Sequence, residues 1–223
     1  AAARVRHQGG RLPAVVLALI FMTVGAGRSY FKKSLFAVMK FPDFELTNQN
    51  NQKISNKDML GKVYLVEFFF SKCPTICPVM NSNMKHIEET INDKNFGIIS
   101  ISIDPTNDTP EVLKNHARML GTKSPNWHFL TGDRDYIDNL ADQFNIYVGD
   151  KEDQSESLNH SGMIALVDQE GNLRSRFDEN NSPILYYSGL NYEDPEGKTT
   201  SLTGKYHPDR EKLIQDIRKL LKQ

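Results

Sequence analysis

The sequence predicts one α/β domain built on a mostly parallel sheet with helices on both faces. Three observations carry this. First, Val63-Tyr64-Leu65-Val66-Glu67-Phe68-Phe69-Phe70 is an apolar run without alternation, the pattern of a strand buried on both faces. Second, segments of helical spacing alternate with strand-like segments after it, which is the order that covers a parallel sheet with helices. Third, no internal repeat or linker divides the chain after Lys40, so the pieces share one core.

The elements follow in order. Phe41–Leu46 and Ile54 flank the polar tip Thr47–Lys53, which reads as a hairpin. The central strand Val63–Phe70 leads to a helix from about Pro78 to Ile91, with Met80, Met84, Ile87 and Ile91 at helical spacing toward the sheet. Gly97–Ile103 is a second buried strand, ending in Asp104-Pro105. Thr109 as cap, Pro110 at the first helical position and Gly121 at the end bound the next helix. Trp127–Leu130 is a short strand with Trp127 in the core, and a helix runs from Asp133 or Asp135 through Phe144. Met163–Asp168 and Leu173–Phe177, joined by a turn with Gly171, form a hairpin. Pro208-Asp209 opens a last amphipathic helix with Leu213, Ile214, Ile217, Leu220 and Leu221 as its stripe. The long polar stretch 178–206 reads as an inserted excursion, with a short hairpin expected around Ile184–Tyr187.

Composition narrows the function classes. The 223 residues carry a net charge of −1, which gives no reason to expect nucleic acid as a partner. Two cysteines are too few for a disulfide scaffold. The N-terminus differs from the rest: Arg4, Arg6 and Arg11 precede the uncharged apolar stretch Leu12–Gly27. That is the layout of a signal sequence or membrane anchor, and Val24-Gly25-Ala26 would serve as a cleavage site. We therefore expect residues 1–35 to be a signal or anchor segment and residues 36–223 to be the domain, exported across a membrane.

The two cysteines carry the chemistry. Cys73 and Cys77 stand in Ser71-Lys72-Cys73-Pro74-Thr75-Ile76-Cys77-Pro78, where the central strand turns into a helix. A lone C-x3-C lacks the further ligands of a structural zinc site. The positive end of a helix dipole lowers thiol pKa values, so thiolate character near neutral pH is expected. A separation of four on a helix puts both sulfurs on one face, which suits capture of one soft ion, Cu(I) first. It also leaves disulfide exchange open, because a looped backbone can bring two such cysteines within bonding reach.

Six histidines are candidate further ligands. His7 precedes the apolar segment, His86 lies off its helix stripe, His116 is in a surface-type helix, His128 is inside a short strand, and His207 precedes the last helix. His160, in Asn159-His160-Ser161-Gly162, stands at the mouth of the strand Met163–Val167. If that strand neighbours Val63–Phe70, its mouth approaches the cysteines; on position alone it reads as a hydrogen-bonded loop histidine. Met80 and Met84 read as core packing rather than copper donors. Asp104-Pro105 could orient the cysteine loop or be only a turn.

Taken together, Phe68–Pro78, Ile99–Pro105 with Asp108-Thr109-Pro110-Glu111, Trp127–Gly132 and His160-Ser161 resemble the Sco/SenC family, from about Phe41 to the last helix. The resemblance implies a thioredoxin-like fold with a central mixed sheet, preceded by an N-terminal anchor that holds the domain on the periplasmic side of a bacterial inner membrane. It implies copper, as Cu(I) or Cu(II), bound by Cys73, Cys77 and His160. It implies a metallochaperone for the copper centre of cytochrome c oxidase, with a copper-accepting subunit of that oxidase or of another respiratory complex as partner. A rival role within the family is a thiol-disulfide oxidoreductase that uses Cys73 and Cys77 as a redox pair to keep the subunit's cysteines reduced. Thioredoxin-like redox enzymes carry a cis-proline near their dithiol; Asn159–Gly162 contains none, which favours metal binding. Asn159 stands where the family often has Asp, removing a negative charge beside the histidine. A thiol peroxidase on a related fold is a third reading, which peroxide consumption dependent on Cys73 would support.

Overall fold

The structure is a computed structural model of the chain and describes residues 35–74, 76–143, 162–177, 180–190 and 209–223. The apolar N-terminal stretch, the helix end at Phe144, the histidine region Asn159–Ser161 and much of 178–206 lie outside the described residues. The strands are β1 (Phe36–Lys40), β2 (Glu45–Asn48), β3 (Lys53–Ser55), β4 (Val63–Phe69), β5 (Phe96–Ser102), β6 (Trp127–Thr131), β7 (Met163–Val167), β8 (Asn172–Phe177), β9 (Pro183–Ile184) and β10 (Tyr187–Ser188). The helices are α1 (Asn56–Met59), α2 (Ile76–Ile91), α3 (Pro110–Leu120), α4 (Arg134–Gln143) and α5 (Arg210–Leu220).

These strands form a mixed sheet in the order β1-β8-β7-β4-β5-β6-β2-β3. Among the described residues parallel pairing is confined to β4–β5 and β5–β6; β7 runs antiparallel to β4, and the remaining pairs are antiparallel too. The sheet is thus less parallel than the apolar runs alone suggested. The two central strands fit the reading of their sequences, since every residue of β4 and of β5 is buried. Burying a Leu, Ile, Val or Phe side chain contributes about 1.5–3 kcal/mol, so these strands fix the centre of the fold.

Helix α2 packs its Met80, Met84 and Ile87 stripe into the core, all three at most 1% exposed. It lies between α3 and α5, joined to α3 by Asn81 Nδ2 and His116 Nε2 at 3.3 Å and to α5 by Arg218 reaching the Thr90 carbonyl at 3.5 Å. Helix α3 is bounded as its sequence signals: Thr109 Oγ1 accepts from the Val112 N–H, Pro110 occupies the first position, and Gly121 closes the helix at φ 66°. That left-handed conformation disfavours any residue with a Cβ.

Two features depart from the sequence reading. Strand β1 was not foreseen; among the described residues it pairs only with β8, with four of its five residues exposed, so it lacks the apolar pattern of a core strand. Residues 184–187 do not form a hairpin. Instead β9 pairs with the end of β8 and β10 pairs with the start of β7. The physical reason is an opening in the sheet: β8 pairs with β7 only at Leu166 and Val167, and β10 pairs at Met163 and Ile164. Buried Tyr187 donates to Asp216 at 2.9 Å, and Asp209 accepts from the Ser188 N–H at 3.0 Å, tying this segment to the start and middle of α5. Among the described residues no helix is long and apolar enough to cross a membrane.

Candidate functional site

The cysteines sit at the C-terminal end of β4, where a buried strand passes directly into a helix. Phe70 ends the apolar run, and its carbonyl accepts the Cys73 N–H at 3.2 Å, closing a turn. Helix α2 then begins at Ile76, so Cys77 is its second residue and Pro78 its third. A proline costs nothing there, because the first-turn N–H groups have no partner within the helix. One of those N–H groups, that of Cys77, donates to Cys73 Sγ at 3.4 Å. The sulfur of Cys73 therefore serves the helix as an acceptor, and the two cysteines are held one turn apart without a disulfide between them.

Burial divides the pair. Cys73 is 8% exposed and Cys77 is 2% exposed, with Lys72 and Pro74 exposed on either side of Cys73. The sequence reading expected thiolate character from the helix terminus. For Cys77 the structure points the other way: burial pushes its thiol well above the usual range, outweighing a hydrogen bond with the Phe70 backbone, and Cys73 and Glu67 nearby add to the rise. Charge on this sulfur has to be compensated by something that binds it, such as a cation.

Beneath the cysteines lie two acidic side chains that the sequence reading passed over. Glu67, in the middle of β4, is 0% exposed. It accepts one hydrogen bond, from Ser100 Oγ at 2.7 Å, and its Oε2 has no partner. Burial raises its pKa to about 7, partly opposed by the Ser100 bond. Ser100 Oγ in turn accepts from the buried Trp127 Nε1 at 3.0 Å. A lone acidic residue inside an otherwise apolar strand is the signal that could have found it.

The second is Asp108, also 0% exposed, in the loop between β5 and α3. Its Oδ2 accepts the Ser71 N–H at 3.0 Å and the Ser102 hydroxyl at 2.6 Å, while its Oδ1 accepts the Ser71 hydroxyl. Asp104, considered from sequence as a possible support for the loop, closes its own turn instead: its carboxylate accepts from Asn107 Nδ2 at 2.9 and 3.1 Å.

The histidines sort as follows. His86 is exposed, as expected. His116 is half-buried on its largely exposed helix: its ring lies 5.4 Å from Phe69 and 5.6 Å from Phe129 between ring centroids, and burial lowers its pKa against the pull of Asp108. His128 is half-buried in β6, where burial and then Lys62 lower its pKa. His160, with Asn159 before it, and His7 and His207 lie outside the described residues.

The strand that follows His160 is described. Strand β7 does neighbour β4, with Ile164 opposite Glu67, so its start comes to the end of β4 from which the cysteine loop departs. Gly162, at φ 64°, accepts the Gly189 N–H at 2.8 Å, and Asn83 of α2 donates to the Gly189 carbonyl at 3.2 Å. Among the described residues no three His, Cys, Asp or Glu side chains gather closely enough to hold a metal ion. What the described site offers is two soft sulfur donors one helical turn apart, a donor set that suits a soft monovalent ion.

The chain matches the family described as SCO1/SenC over residues 33–192. It is 33% identical over 147 residues to an SCO2-like protein of Rickettsia felis, covering 63% of this chain and 70% of that one. It is 30% identical over 138 residues to a putative copper-binding protein of Stutzerimonas stutzeri, covering 60% of this chain and 66% of the relative. Among solved structures it superposes on BsSco with a TM-score of 0.63 and 25% identity, covering 85% of this chain and 97% of the other. BsSco is described as a member of the Sco family of cytochrome c oxidase assembly proteins in which a disulfide switch was identified. The mixed sheet with flanking helices is the thioredoxin-like fold of these proteins, and the chain belongs to the SCO1/SenC family.

Proposed function

We propose that this protein binds copper as cargo through the Cys73 and Cys77 thiolates and the His160 imidazole, and delivers it to a copper-accepting subunit of a cytochrome c oxidase or another respiratory complex. The observation that carries the reading is the fixed pair of sulfurs at the start of α2, with the Cys77 N–H on Cys73 Sγ at 3.4 Å. Two features support a third ligand from the segment before Gly162: β7 runs beside β4, and Gly162 is anchored to Gly189, which α2 holds through Asn83. The copper-binding relative and the oxidase-assembly description of BsSco support the cargo and the destination. Transfer proceeds by ligand exchange with acceptor thiols. Cys73 is the sulfur an acceptor reaches first, since Cys77 lies deeper. The basic and apolar residues 1–35 tether the domain to the bacterial inner membrane, on its periplasmic side.

Titration of the reduced full chain with Cu(I) tests this. One ion per chain is expected, with binding lost in Cys77→Ala and weakened in His160→Ala. Unchanged stoichiometry and affinity in both variants would overturn the assignment. The tether is tested by fractionation: release of the full chain from membranes by high salt alone would exclude an inserted anchor.

A second reading is favoured by the difference in burial between the sulfurs. As a thiol-disulfide reductase, the pair would use Cys73 to attack a disulfide on the oxidase subunit and Cys77 to resolve the mixed disulfide. Two electrons would then pass to the partner and leave Cys73–Cys77 oxidised. Loss of function in His160→Ala with partner reduction intact would eliminate this reading, which needs no histidine.

A further inference from the structure

We infer that Asp108 is a positioning residue for the copper-binding loop; the inference rests on the copper reading above. Cys73 is reached from β4 through Phe70, Ser71 and Lys72, a turn that the Cys73 N–H closes on the Phe70 carbonyl at 3.2 Å. Asp108 fastens that turn to the rest of the fold. It takes both donors of Ser71, the backbone N–H on Oδ2 at 3.0 Å and the hydroxyl on Oδ1. Two bonds from one residue onto the two oxygens of one carboxylate fix direction as well as distance. The same carboxylate is anchored to the end of β5 by the Ser102 hydroxyl at 2.6 Å. The Asp108 backbone closes the support, its N–H donating to the Asp104 carbonyl at 2.8 Å, while the Asp104 N–H donates to Ser102 Oγ at 3.0 Å. The loop is thereby fastened to the strand next to its own, across 37 residues of sequence.

This arrangement has a consequence for metal capture. The Cys77 sulfur is set by the helix, whereas the Cys73 sulfur is set by its loop together with the Cys77 N–H that it accepts at 3.4 Å. Soft ions need both donors at bonding distance together, so a loop free to drift forfeits affinity without changing either ligand. Partners that orient ligands in this way typically contribute 10- to 100-fold in metal affinity. An Asn at 108 has one accepting oxygen where Asp has two, so the bond from the Ser71 hydroxyl is lost or reversed, and the charge that strengthens the remaining bonds is removed.

The test uses the full chain with four measurements: Cu(I) affinity by competition with a chromophoric chelator, Cu(I) stoichiometry, the metal-free alkylation rate of Cys73, and urea stability. In D108N we expect one Cu(I) per chain bound 10- to 100-fold more weakly, and faster alkylation of Cys73. S71A, which keeps the backbone bond and loses the hydroxyl bond, should change both in the same direction by less, and it carries the test if D108N does not fold. T109A removes a helix cap beside Asp108 but no bond of this support; it should lower stability and leave affinity well short of the 10- to 100-fold loss. A D108N chain that loses stability yet keeps wild-type affinity and alkylation rate would overturn the inference, and so would T109A weakening Cu(I) as much as D108N. If the wild type binds no Cu(I), the copper reading fails, while the alkylation rates still decide whether Asp108 holds the loop.

Discussion

Two buried carboxyl groups separate two kinds of region in this molecule. Asp108, at the end of the sheet under the cysteine loop, accepts three hydrogen bonds from Ser71 and Ser102. Glu67, in the middle of β4, accepts one and leaves Oε2 without a partner. Both are 0% exposed, so burial alone does not distinguish them; the supply of donors does. Loop backbone and strand-end hydroxyls converge on Asp108, whereas a strand interior offers Glu67 only the side chain opposite it. A carboxyl group with few donors in a dry core favours its protonated form, and Glu67 is raised to about 7. The lesson is that polar structure is concentrated where the chain leaves the sheet, which is where the sulfurs are.

The sharpest way to break this contrast is Asp108→Leu. It strands the Ser71 N–H and hydroxyl and the Ser102 hydroxyl in the interior, and each unmet buried group costs about 1–3 kcal/mol. A total loss of roughly 3–5 kcal/mol in urea unfolding is expected; a loss under about 1 kcal/mol would mean the three bonds contribute little.

Glu67→Gln probes the other side through pH. In the fold Glu67 sits at about 7, against about 4.3 in an unfolded chain. Between these values the folded state holds the proton and the unfolded state has lost it. Stability therefore falls as pH rises through this window and levels off above it, by roughly 3–4 kcal/mol in all. Gln removes that slope, so the variant should gain on the wild type as pH rises from 4.5 to 7.5. Parallel stability–pH curves for the two proteins would contradict the assignment.

Gly162→Ala tests the mouth of β7, which neither carboxyl group supports. A Cβ there would meet Leu190 Cγ and Cδ1 at 2.9 Å, at a φ of +64°. Left-handed strain of about 1–2 kcal/mol plus displacement of Leu190 is expected to lower stability. If the Gly162 region helps present a copper ligand, Cu(I) affinity falls with it; unchanged affinity would separate the two. The smallest effect is Thr109→Ala, an exposed cap bonded at 3.4 Å, with a loss of about 1 kcal/mol. It sets the scale for a bond that water can replace, and a loss as large as that of Asp108→Leu would erase the distinction between the buried and exposed regions.

Local pattern was sufficient for much of this. The unalternating run of β4, the stripe of α2 and the Thr-Pro…Gly boundaries of α3 are statements about neighbours in sequence, and periodicity and capping act over one or two turns. The cysteine pair at a strand-to-helix junction was legible for the same reason. Strand β1 was not, because an exposed edge strand needs no apolar pattern. The residues 184–187 looked like a hairpin because adjacent strand-like segments with a turn usually pair with each other; here the open edges of β7 and β8 took them separately.

By itself, then, the sequence determined the succession of elements, the two sulfurs four residues apart and the motifs by which the family is known. Only the tertiary structure decided what surrounds them: that Asp108 and not Asp104 grips the loop, that His116 lies between Phe69 and Phe129, and that burial works against the helix terminus at Cys77. Spacing along the chain is short-range information. Hydrogen-bond partners and desolvation depend on which distant segments meet, and those are fixed only when the core closes.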